Sequence, residues 1–171
     1  MITMKLYTKI SLILLIPLFA GLTGCIKEEQ YPLEPIIEYK SYMTDTAVDG
    51  KDSLGFITIS YTDGDGNIGL FAWDTVEPRK YNYYLKFMQL IDGKMVEVKP
   101  ADTSITFNAR IPLLTPAGKN KNIKGDITMT MELYFASQIL QSNTIAFEIY
   151  IKDRDLNKSN TVTTPNFEIR R

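Results

Sequence analysis

Six oxygen-bearing side chains carry the densest chemistry in this chain, in two stretches of identical spacing. Asp63, Asp65 and Asn67 alternate within Thr62-Asp63-Gly64-Asp65-Gly66-Asn67-Ile68-Gly69-Leu70. Asp153, Asp155 and Asn157 repeat the D-x-D-x-N pattern near the C-terminus. Such side chains converge when the backbone between them turns. Gly64 and Gly66 permit that turn, because glycine reaches positive φ without a Cβ clash. Converging carboxylate and amide oxygens are hard ligands that suit calcium, and oxygens at positions 1, 3 and 5 open a helix–loop–helix calcium loop. The match then fails. Ile68 stands where position 6 takes Gly, Asp74 stands where position 12 takes a bidentate Glu, and the flanks read as strand. An EF-hand is therefore rejected. Two readings stay open: a looser calcium site, or a turn whose Asp and Asn side chains cap their own backbone.

The two stretches share one ion only if the fold brings them to the same end. Without an ion, four carboxylates there repel one another, less so where solvent screens them. Arg154 offers a competing route, since it can neutralise its acidic neighbours.

Little else suggests catalysis. The chain has no His, which removes the commonest general base and transition-metal ligand. No G-x-S-x-G stretch occurs. The reading is non-enzymatic, with a glycosidase-like pair of carboxylates from distant positions as the enzymatic alternative. A net charge of −1 gives no sign of nucleic-acid binding. Tyr81, Tyr83, Tyr84 and Phe87 either form a sugar-stacking or protein-binding face or fill a core.

The first residues read as targeting. Lys5 and Lys9 precede an apolar run, Ile10 to Ala20, too short for a comfortable membrane span. Leu22-Thr23-Gly24-Cys25 follows and holds the only Cys. This resembles the bacterial lipoprotein lipobox. The resemblance implies cleavage before Cys25, acylation of Cys25 and anchoring of the protein to a membrane. The alternative is an ordinary secretory signal with an incidental Cys. Each buried CH₂ of an acyl chain contributes roughly 0.8 kcal/mol, so two or three chains anchor firmly. Cleavage would remove two of 19 basic residues and none of 20 acidic ones, moving net charge from −1 to −3. Lys27-Glu28-Glu29 resembles the export signal of Bacteroidetes lipoproteins, which implies the outer membrane and its outer face; a solvated charged tether is the equal alternative. Residues 1–24 are thus read as signal, 25–35 as lipidated tether and 36–171 as one domain.

From residue 36 the chain shows short alternating strands separated by turn signals. Strands are expected over 37–43, 56–61, 81–91, 95–98, 105–111, 127–133, 145–151 and 161–169. Asp92-Gly93 is a two-residue hairpin signal. Phe135 to Leu140 is expected as a short helix or irregular turn, and Thr115 to Gly125 as a long exposed loop. Trp73 is expected at the edge of the core. Pro165 cannot donate a ladder bond, so the last strand is expected at an edge or bulged. About eight strands at this spacing predict an all-β sandwich.

The strand, Asp-x-Asp-x-Asn, strand order near the end resembles the last hairpin of fibronectin type III and other immunoglobulin-like modules. "YTDGDGNIGL" with "IYIKDRDLNKSNTVTTP" resembles uncharacterised Bacteroidetes lipoproteins with an acidic glycine loop, which implies a fold and a location but no activity. Asp45-Thr46-Ala47, Asp52-Ser53-Leu54 and Asp74-Thr75-Val76 resemble the Bacteroidetes O-glycosylation signal, which implies sugars on Thr46, Ser53 or Thr75, all expected in loops; loop composition alone is the alternative. The functional expectation is a lipid-anchored, non-enzymatic envelope module that binds a glycan or protein partner and is stabilised by calcium. The alternatives are a structural envelope-assembly lipoprotein without a ligand and, third, a carbohydrate-active enzyme.

Overall fold

The computed structural model describes residues 30–102, 105–114 and 121–171. The signal, Cys25 and the Lys27-Glu28-Glu29 motif lie outside the described residues. The chain forms β1 (Ile36–Thr46), β2 (Asp52–Asp63), β3 (Tyr83–Ile91), β4 (Lys94–Glu97), β5 (Ile123–Glu132), α1 (Leu133–Ile139), β6 (Thr144–Ile151), β7 (Val162–Thr163) and β8 (Phe167–Glu168). Two antiparallel sheets face each other. One has the order β1-β2-β5; the other runs β4-β3-β6-β7, with β8 also on β6. The fold is an all-β sandwich, and the split of strands between its sheets follows the immunoglobulin pattern, with no fourth strand beside β5 among the described residues.

Period-two alternation builds the core. Ile57 and Ile59 of β2 face Leu85 and Phe87 of β3 and Ile145, Phe147, Ile149 and Ile151 of β6, and all are buried. Burying each such side chain contributes roughly 1.5–3 kcal/mol. Phe87 lies opposite Phe147, with ring centroids 5.1 Å apart. The tyrosine run divides by the same alternation. Tyr83 is buried, while Tyr84 stacks on Tyr150 at 4.7 Å on the outer face.

Three local expectations are corrected. Ile105 to Ile111 does not form a ladder strand; it touches β3 through a single bridge, Tyr83 to Ala109. Side-chain amides take over the pairing. Asn82 accepts from the Ile111 N–H at 2.6 Å and donates to its carbonyl at 3.2 Å, while Asn108 accepts from Leu85 N–H. Asp52 and Ser53 lie in β2 and Thr46 ends β1, paired with Asp52, so only Thr75 of the three glycosylation candidates sits in a loop. Trp73 is 74% exposed and stacks on Phe71 instead of the core.

The C-terminal strand breaks at Pro165. Thr164 bridges the break, donating its N–H to the Phe147 carbonyl and accepting the Phe147 N–H on its hydroxyl, both within 3.0 Å. Its two halves, β7 and β8, therefore flank the same edge of β6. Thr115 to Gly125 is likewise divided. Ile123, Lys124 and Gly125 belong to β5, and 115–120 lie outside the described residues.

Candidate metal centre

Strand β2 delivers Asp63 to its last position, fully buried. Asp63 Oδ2 accepts the N–H groups of Asn67 at 2.8 Å and Ile68 at 3.2 Å. That closes the loop as a side-chain-capped turn. Ile68 and Leu70 then plug into the core, which fixes the loop's far side. The glycines act at different points from the expected pair. Gly66 (φ 69°) and Gly69 (φ 101°) hold the left-handed conformation. Gly64 does not; a Cβ there would lie 2.3 Å from the Tyr31 carbonyl, so glycine is needed for close approach. The Gly64 N–H donates to the Pro32 carbonyl at 2.7 Å, joining the segment before β1 to the loop.

The turn after β6 carries the second stretch, and the fold brings the two together. Asn67 Nδ2 donates to Asp65 Oδ2 and to Asp155 Oδ2, each at 3.0 Å. The Arg154 N–H donates to the Asn67 carbonyl at 3.3 Å. Asp153 and Asn157 largely satisfy each other. Asp153 accepts the Asn157 N–H and Nδ2, both at 2.8 Å. Arg154 forms no ion pair with these acids among the described residues. Its guanidinium donates to the Gly69 carbonyl at 3.0 Å and lies over the Phe71 ring. Asp74, at loop position 12, points elsewhere and caps Phe71 N–H at 3.0 Å.

Among the described residues, three oxygens in this cluster are buried without a protein donor: Asp63 Oδ1, Asp65 Oδ1 and Asn67 Oδ1. A buried acceptor left without a partner costs about 1–3 kcal/mol, more when it is charged. The titration behaviour agrees. Burial, reinforced by the Asp65 charge, raises Asp63 to about 6 despite its two backbone donors. Burial also raises Asp153, against hydrogen bonds from Asn157 and Asn67. Both shifts mark carboxylates in an environment that disfavours their charge. Among the described residues, no three His, Cys, Asp or Glu side chains are grouped closely enough to hold a metal by themselves. The oxygens left without a donor belong to two carboxylates and one amide, Asp63, Asp65 and Asn67, and Asp155 joins them through Asn67 Nδ2.

Sequence spacing singled out the two stretches that meet here, but not that Asp153 and Asn157 bond mainly to each other. Nor did it identify Arg110, which organises the neighbouring loop. Compared with protein-family models, curated proteins and solved structures, the chain matches none.

Proposed function

We propose that this protein is a lipid-anchored, non-enzymatic binding or accessory module of the bacterial outer membrane, exposed at the cell surface, whose acidic-loop end takes up calcium. The anchor is supported by Leu22-Thr23-Gly24-Cys25. The cation is supported chiefly by the three buried acceptor oxygens without a donor at the meeting of the two loops. Asn67 Nδ2 now sits between two carboxylates, where a positive centre would serve better. Turning that amide over would present Oδ1 in place of the donor, since the two ends of an amide exchange by a half-turn. Calcium tolerates such irregular oxygen sets and binds extracellular modules at roughly 10⁻⁴–10⁻³ M. The partner is a glycan or a protein held outside the membrane.

Calorimetric titration of the full chain in detergent tests the cation directly. Heat of binding that is present for the parent and absent for Asp65→Ala is expected. No heat at calcium concentrations of about 10 mM would refute a site in the extracellular affinity range. Labelling cells with a fatty-acid analogue tests the anchor, and Cys25→Ser is expected to abolish both label and membrane fractionation. The reading of a structural module without a ligand has one observation in its favour. Asp153 already accepts two hydrogen bonds from Asn157.

A further inference from the structure

An exposed tryptophan stands in a braced frame beside the acidic loops. Trp73 stacks on Phe71 with centroids 4.7 Å apart and planes 6° from parallel, yet keeps 74% of its surface open. A stack covers one face of an indole and leaves the other free. Arg110 holds the surrounding loop. Its guanidinium donates to the carbonyls of Phe71 at 3.0 Å and Lys80 at 2.8 Å, and also to that of Asp74. Asp74 in turn caps the Phe71 N–H. The backbone that carries the indole is thus braced before anything binds, which lowers the entropy cost of binding.

A cleft of about 350 Å³ opens beside the indole, lined by Phe71, Trp73, Asp74, Arg79, Arg154 and Asp155. Arg79 is itself anchored, donating through Nε at 3.0 Å and Nη2 at 2.8 Å to the Arg154 carbonyl. The lining therefore combines flat apolar rings with two planar cations and two carboxylates. An apolar peptide would leave those charged groups desolvated and unpaired. A phosphorylated ligand would meet both carboxylates. A pyranose ring fits both halves, because its C–H face lies flat on an indole while adjacent hydroxyls donate to carboxylates and accept from guanidinium N–H groups.

We propose that the Trp73 cleft is a subsite for a neutral pyranose of an oligosaccharide, with Trp73 as the stacking platform and Arg79, Arg154, Asp74 and Asp155 as hydroxyl partners. The two cations and two anions balance, which favours a neutral sugar over a uronic acid. The inference rests on the proposed calcium reading only through Arg154 and Asp155, which also belong to the acidic loops.

The chain contains one Trp, so its emission reports this cleft alone. The full chain, in a detergent without a sugar headgroup, is titrated with maltohexaose, cellohexaose, xylohexaose, mannohexaose and an oligogalacturonate, with calcium and with chelator. The expected result is a saturable emission change with one of the neutral sugars at millimolar concentration or below, weakened by about tenfold or more in Arg79→Ala. Calorimetry of Trp73→Ala is expected to lose the same binding while its calcium-dependent melting persists. No response to any neutral sugar, tighter binding of the oligogalacturonate, or undiminished binding by Trp73→Ala would overturn the proposal. Calcium-dependent melting is read separately, so either proposal can fail alone.

Discussion

Strand β2 begins and ends on a buried aspartate, and the two are treated in opposite ways. Asp52 opens the strand and Asp63 closes it. At Asp52, the Arg170 guanidinium donates through Nε at 3.1 Å and Nη2 at 2.9 Å, and the Arg170 N–H adds a third bond at 2.9 Å. Burial alone would raise this carboxyl; Arg170 outweighs burial and holds it below its ordinary value. At Asp63 two backbone N–H groups donate and, among the described residues, no ion pair forms, while its Oδ1 and those of Asp65 and Asn67 have no donor. The same residue type in the same strand is thus neutralised by a guanidinium at one end and, among the described residues, held by backbone N–H groups alone at the other. Buried charges are stable only when paired and hydrogen-bonded. The contrast locates where an external cation would matter.

Removing the internal cation has the largest expected effect. Arg170→Ala leaves Asp52 buried and unpaired. Breaking a fully buried pair costs about 3–5 kcal/mol, and because the Arg170 side chain is largely exposed the expected loss is nearer about 2 kcal/mol. Urea denaturation measures it, and the loss should be the same with calcium or chelator. A loss that calcium restored would mean the two ends are not independent.

Asp63→Asn breaks the other end. The amide oxygen keeps the two backbone bonds, and the charge that burial opposes is gone. With chelator at neutral pH the variant should gain about 1 kcal/mol in urea denaturation. A loss of stability would show that the ionised carboxylate is already compensated.

The pH dependence should also separate the ends. Asp63 holds its proton more tightly folded than unfolded, so its contribution to stability is present below 3.8 and is lost as pH rises to about 6. Asp52 has the opposite sign. Its contribution is present above its unfolded value and is lost as pH falls through its lower folded value. Thermal melts with chelator should therefore show Arg170→Ala flattening the acid limb, and Asp63→Asn flattening the decline between pH 4 and 6. The smallest effect belongs to the exposed Lys40–Asp126 pair. Lys40→Ala should cost no more than about 0.5 kcal/mol in urea denaturation and respond neither to calcium nor to pH near neutrality.

The strands were legible where alternation and turn chemistry agreed. Ile145 to Ile151 and the Asp92-Gly93 hairpin fall where their patterns place them. Ile105 to Ile111 alternates equally well, but alternation reports which face is buried and not what satisfies the backbone. Asn82 and Asn108 satisfy it with side chains, so no ladder forms. Asp52 and Ser53 read as loop because they are polar, and a buried aspartate in a strand depends on Arg170, 118 positions away. Trp73 reads as the edge of the core, while the loop that carries it outward is braced by Arg110 from a distant segment. The D-x-D-x-N spacing announced the candidate site. Its closure through Asn67 and Asp155, 88 positions apart, depends on both turns emerging at one end of the sandwich, which spacing alone does not determine.

The most direct test is the melting temperature of the full chain as calcium rises from chelator to about 100 times the dissociation constant, read for the parent, Asp63→Asn and Arg170→Ala. Such a concentration stabilises by about 2.7 kcal/mol, or roughly 5–10 °C for a domain of this size. A calcium ion held at Asp63 predicts that rise in the parent and in Arg170→Ala and its absence in Asp63→Asn. A parent protein that melts at one temperature throughout, or an Asp63→Asn variant that rises equally, would contradict it.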